Sequence, residues 1–104
     1  MVDVVRELKV ALDTGKVVIG SKKTLKAAMY GKAKMIMIAA NCPEDIRAKI
    51  EYYSKLSSIP IYVFPGSSWE IGAVCKKPFM VASLAIIDPG ESSILALVES
   101  EGGE

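Results

Sequence analysis

The stretch Gly20-Ser21-Lys22-Lys23-Thr24-Leu25-Lys26 places three lysines where a helix is expected to begin. Unsatisfied amides give a helix N-terminus about half a positive charge, and a cation there is disfavoured by roughly 0.3–1 kcal/mol. Lys22 and Lys26 add a like-charge pair one turn apart, which costs a few tenths of a kcal/mol more. A polyanion would offset these terms, because the amides after Gly20 and the lysines around them form a phosphate-binding corner. A solvated basic face is the competing reading, and the spacing alone leaves both open. Lysine in place of arginine favours phosphate contact over base reading.

Asn41 precedes an expected helix, which its side-chain oxygen can cap, and its amide can equally read a base edge. Phe79 follows Lys76-Lys77-Pro78, an aromatic in a cationic loop suited to stacking on an unpaired base or to anchoring a core. Cys42 stands at a helix start, where a thiol pKa can fall, but the chain has no histidine to serve as its base. Cys75, beside Val74, is expected to pack. Two cysteines make no disulfide framework and no four-ligand zinc site, and they point to a reducing, intracellular setting. The glycines form no dinucleotide or P-loop fingerprint, and no acidic cluster suggests a metal. An enzyme reading is left without a mechanism, and neither cofactor nor small-molecule substrate is expected.

The elements that position these residues follow from periodicity. Val5, Leu8 and Leu12 recur with helical spacing from Val2 to Leu12, and Gly15 stops that helix. Val17-Val18-Ile19 reads as a strand, Gly20 as a turn, and Leu25, Ala28 and Met29 as a second helix ending at Gly31. Met35 to Ala40 is apolar without alternation, the pattern of a central strand covered on both faces. Pro43 at a first helical position, with Glu44 and Asp45, opens a third helix through Ile46, Ile50, Tyr53 and Leu56. Ile61 to Phe64 is a further strand. Ser67-Ser68-Trp69-Glu70 has capping-box spacing before a short fourth helix that should stop before Pro78. Val81 to Ile87 reads as the last core strand, and Ser92 to Val98 fits neither period cleanly and leans to helix. The alternation predicts an α/β fold, a three-layer α/β/α sandwich around a mixed sheet of about four strands.

At 104 residues, with 51% hydrophobic and 24% charged, the chain is expected to form one globular domain over 1–104, with Glu99 to Glu104 a frayed tail. No stretch is long enough to cross a bilayer, and Asp3, Arg6, Glu7 and Lys9 interrupt any signal-peptide core. Net charge is only +1, yet the charges are segregated. Eight basic residues from Arg6 to Lys34 outnumber Asp3, Glu7 and Asp13, while every charged residue beyond Pro78 is acidic. Such asymmetry gives a near-neutral protein a positive face.

Further motifs complete a pattern: Gly31-Lys32-Ala33-Lys34, Ala39-Ala40-Asn41-Cys42-Pro43, Ile50-Glu51-Tyr52-Tyr53-Ser54-Lys55-Leu56-Ser57, Glu70-Ile71-Gly72, Lys77-Pro78-Phe79 and Asp88-Pro89-Gly90-Glu91-Ser92. With Gly20 and its lysines, they resemble the archaeal and eukaryotic large-subunit ribosomal protein L-thirty-e family, within the wider L-seven-Ae superfamily, over nearly the whole chain. The resemblance implies an α/β/α sandwich that binds a kink-turn, a sharply bent RNA helix with an unstacked nucleotide, in ribosomal RNA. It also implies that Gly20, Lys22, Lys23, Lys26, Asn41, Ile71, Gly72 and Phe79 converge on the bend.

Two departures matter. Ile46 stands where some relatives carry a basic residue, and Lys22-Lys23 stands where superfamily members of small-RNA particles typically carry Asn-Glu. The second favours the ribosomal branch over a processing or modification particle, and the short chain looks archaeal. A protein-interaction module using the acidic C-terminal end is the rival from another class. The expected molecule is a cytoplasmic, ribosome-bound protein, monomeric when free, with ribosomal RNA as partner and room for contacts with neighbouring ribosomal proteins.

Overall fold

The computed structural model describes residues 3–98, so the expected frayed tail lies outside the described residues. Eight elements follow in order: α1 (Val4–Thr14), β1 (Lys16–Ile19), α2 (Ser21–Met29), β2 (Met35–Ala39), α3 (Glu44–Leu56), β3 (Ile61–Phe64), α4 (Ser68–Val74) and β4 (Ser83–Asp88). A helical turn at 96–98 comes last.

Local signals fix most of the boundaries. Asp3 Oδ1 accepts hydrogen bonds from the Val5 and Arg6 amides at 3.1 and 3.3 Å and caps α1. Ser67 Oγ accepts one from the Glu70 amide at 3.3 Å and caps α4. Pro43 is the N-cap of α3 and not, as expected, inside its first turn. A residue without an N–H is tolerated at either place, so the proline marks the boundary only to within one residue.

The sheet order is β1-β4-β2-β3, with β2 parallel to β3 and β4 antiparallel to both its neighbours. It is the expected mixed four-stranded sheet. Strand side chains alternate between faces. Met35, Met37 and Ala39 therefore enter one core, with Leu8 and Ala11 of α1 and Ile71 of α4, while Ile36 and Ile38 enter the other, with Ala27 and Ala28 of α2 and Ile50 of α3. Two buried faces explain the unbroken apolar run of β2 and complete the α/β/α sandwich.

The last strand begins at Ser83, two residues later than expected, because the Val81 amide leaves the ladder and donates to the Ser68 carbonyl at 3.0 Å. The segment after Asp88 turns helical only at 96–98, where amides bond to carbonyls three residues back. Ile94 and Val98, four apart, are both buried there.

Thr24 of α2 is fully buried, and its hydroxyl has no hydrogen-bond partner among the described residues. A buried unpaired hydroxyl costs about 1–3 kcal/mol, and valine keeps the shape without it. Thr24→Val is expected to raise stability by about 1 kcal/mol, read as a higher urea midpoint at unchanged slope. A lower midpoint would mean that a buried water satisfies the hydroxyl.

Candidate nucleic-acid interface

Because β1, β2 and β3 run one way and β4 the other, the chain leaves Ile19, Ala39 and Phe64 at the same edge of the sheet where it enters Ser83. Four connections meet there, and hydrogen bonds stitch them together. The Gly20 amide donates to the Ser83 carbonyl at 3.0 Å, and the Ser83 hydroxyl to Ser21 Oγ at 3.0 Å. The Ala39 amide donates to the Ala82 carbonyl at 2.8 Å, and the Ala40 amide to the Gly66 carbonyl at 3.0 Å. The Ser68 amide donates to Asn41 Oδ1 at 2.8 Å.

Gly20 is the N-cap of α2 at φ 106°, in the region glycine favours, and a Cβ there would meet nothing within 4 Å. The position thus faces open space, where another backbone can approach. Its own amide is already engaged by the Ser83 carbonyl and is not a free donor of this corner. The first helical bond runs from the Thr24 amide to the Gly20 carbonyl, so the Ser21, Lys22 and Lys23 amides have no partner among the described residues. They are the free donors of the corner.

All three corner lysines are exposed. Lys22 lies over the groove between α2 and α3, with Ile46 and Lys49, and Lys23 and Lys26 line the opposite flank of the helix. The ion pair between Arg47 and Glu51, at 3.1 Å, is the only one among the described residues. Arg47 is thereby held on its own helix, and Lys49 supplies the cation beside Ile46. Sequence reasoning missed Lys49, because nothing in its spacing announces that α3 lies against α2.

Asn41 caps the first amide of α4 and not α3, the helix that follows it in sequence. With its oxygen committed, its amide nitrogen keeps its donors for a ligand. Phe79 is 52% exposed, so its ring is not a core anchor, and Met80 beside it is equally open. The two α4 residues lie further inward. Ile71 is fully enclosed in the core, and Gly72 is buried, with space for a Cβ filled by the Phe79 carbonyl. Neither presents a side chain outward; both hold the loop that carries Phe79.

Burial works against the thiolate form at both cysteines. Burial pushes the Cys42 thiol above its ordinary value, against the lowering influence of Arg47. Burial raises Cys75 too, with Lys77 opposing. Among the described residues no group of histidine, cysteine or acidic side chains could hold a metal, and no helix is long and apolar enough to cross a membrane.

Known proteins match this chain along nearly its full length. "Large ribosomal subunit protein eL30" of Pyrobaculum neutrophilum is 52% identical over 99 residues, covering 95% of this chain and 98% of that one. The protein of the same name from Methanothermobacter thermautotrophicus is 51% identical over 96 residues, 92% of this chain and 98% of its own. That of Methanocaldococcus jannaschii is 48% identical over 103 residues, 98% and 94% respectively. The family model described as "Ribosomal protein L7Ae/L30e/S12e/Gadd45 family" matches residues 3–96, which takes in every element from α1 to β4, and the chain belongs to that family.

Proposed function

We propose that this protein is a structural constituent of the large ribosomal subunit, where it binds a kink-turn of ribosomal RNA and stabilises the bent conformer. The observation that carries this reading is the meeting, at one edge of the sheet, of unpartnered α2 amides, the Lys22 corner, the outward amide of Asn41 and the exposed ring of Phe79. Its archaeal relatives named as large-subunit proteins support it.

In this mechanism Lys22, Lys23 and Lys26 and the first amides of α2 hold phosphates, and Gly20 leaves the strand room to approach. Asn41 donates to a base edge, and Phe79 stacks on the extruded base. Ile71 and Gly72 act through the loop they support. These contacts form together only on bent RNA, so binding shifts the RNA population toward the bend. We assign residues 1–104 to one RNA-binding unit that is monomeric when free and works in the cytoplasm on the ribosome. It needs no cofactor and has no catalytic role, a reading supported by two thiols held away from the thiolate form. Neighbouring ribosomal proteins are its other expected contacts.

The test is a titration of a kink-turn RNA and a straight duplex of equal length at two salt concentrations. The kinked RNA should bind preferentially. Lys22→Ala should reduce the slope of log affinity against log salt by about 0.9, the share of one phosphate contact. Phe79→Ala should weaken binding roughly 5- to 150-fold at unchanged slope, since stacking on one base is worth about 1–3 kcal/mol. Equal binding to both RNAs would reduce the site to a general basic face. Binding to neither would favour the protein-interaction reading.

A further inference from the structure

Away from the edge where the loops meet, a hollow of about 280 Å³ lies along the flank of α2 and the outer strand β1. Its rim carries Lys16, Lys23, Lys26 and Lys32, and its aromatic wall is Tyr30. Val18 of β1 and Ile87 of β4 contribute to its floor, and among the described residues no acidic side chain lines it. Asp88 pairs with Lys16 across the strands, but its carboxylate accepts the Gly90 amide at 2.9 Å and forms no ion pair among the described residues.

Tyr30 ends α2 and is 69% exposed, with the Lys32 ammonium 5.9 Å from the ring centroid. Four cations that converge without a carboxylate repel one another, and a polyanion removes that repulsion. An open aromatic ring among them suits a base whose faces are bare, and lysines at that spacing suit the phosphates on either side of it. The hollow is also continuous with the proposed kink-turn surface, because Lys23 and Lys26 belong to both. The nine residues of α2 span roughly 13 Å, the reach of a few nucleotides.

We infer that this hollow is a second RNA site, which takes an unpaired stretch of the strand leaving the kink-turn and stacks one of its bases on Tyr30. The inference rests on the kink-turn reading and extends it to RNA beyond the bend. It predicts that a kink-turn RNA with a flanking single strand binds more tightly than the same RNA trimmed to its paired stems.

The experiment titrates the full-length protein with the trimmed kink-turn RNA and with versions carrying an unpaired tail of about eight nucleotides at the 5′ or the 3′ end. Wild type should gain at least about fivefold from one of the tails. Tyr30→Ala should abolish that gain and Tyr30→Phe should keep it. Lys16→Ala with Lys32→Ala should lower the salt slope on the tailed RNA by about 1.4, two single-strand phosphates. All the variants should bind the trimmed RNA as wild type does, which also verifies their folding. No gain from either tail, or variants that weaken trimmed and tailed RNA equally, would overturn the inference and leave the kink-turn reading standing. Wild type that fails to prefer kinked over straight RNA would overturn both.

Discussion

Ile71→Ala is expected to lower the stability of the protein by about 2–5 kcal/mol, the range for truncating a fully buried isoleucine where the surroundings relax only in part. Ile71 has no exposed surface and packs with the Met35, Met37 and Leu84 side of the sheet. Against a typical total of about 5–15 kcal/mol the loss is large, and the melting temperature should fall by roughly 10 °C or more. Chemical denaturation gives the number. At a temperature where the variant is still folded, its affinity for kink-turn RNA should change far less than that of Phe79→Ala. A variant of native stability that cannot bind RNA would return Ile71 to the contact surface and refute the buried assignment.

Gly72→Ala combines a stability effect with a binding effect. A methyl group at this position would collide with the Phe79 carbonyl oxygen, and a backbone atom cannot swing aside as a side-chain tip can. Overpacking of this kind costs about 1–3 kcal/mol, and more where the backbone is rigid. Here the chain can relax in one direction, by pushing the loop that carries Phe79 and Met80 away from α4. The Lys77 amide, which donates to the Gly72 carbonyl at 2.9 Å, would be pulled along. The expected result is destabilisation by at least about 1 kcal/mol together with a loss of affinity comparable to Phe79→Ala, although Gly72 itself touches no RNA. Normal affinity in the folded variant would mean that the loop is not positioned by this contact.

The two substitutions mark what could be read from sequence and what could not. The apolar run of β2 announced its own burial, because a strand with both faces covered has no polar position to spend. The capping box from Ser67 to Glu70 is likewise a short-range signal and placed its element well, whereas Ser92 to Val98, which fits neither period cleanly, turns helical only at 96–98. Functional detail depended on partners far away in the chain. Whether the Gly20 amide is free is decided by Ser83, and whether Asn41 caps the next helix or a later one is decided by Ser68. Phe79 could have been a core anchor or an open platform, and the fold leaves its ring exposed while its carbonyl packs close to Gly72. Ile71 and Gly72 were placed at the bend by the resemblance alone, and burial moves them one layer inward.

The position of β4 carries a consequence for how the protein is made. It is the last strand among the described residues, yet it sits in the sheet between β1 and β2, which are not neighbours in the sheet. During vectorial synthesis β2 and β3 can pair early, but β1 stays outside the sheet until Asp88 has emerged. The Gly20 and Ala39 amides, bonded to the carbonyls of Ser83 and Ala82, are locked by the same late event. An unfinished chain therefore displays its lysines without that frame, and on the proposed reading selective grip on a bent RNA would begin only when β4 is threaded into place.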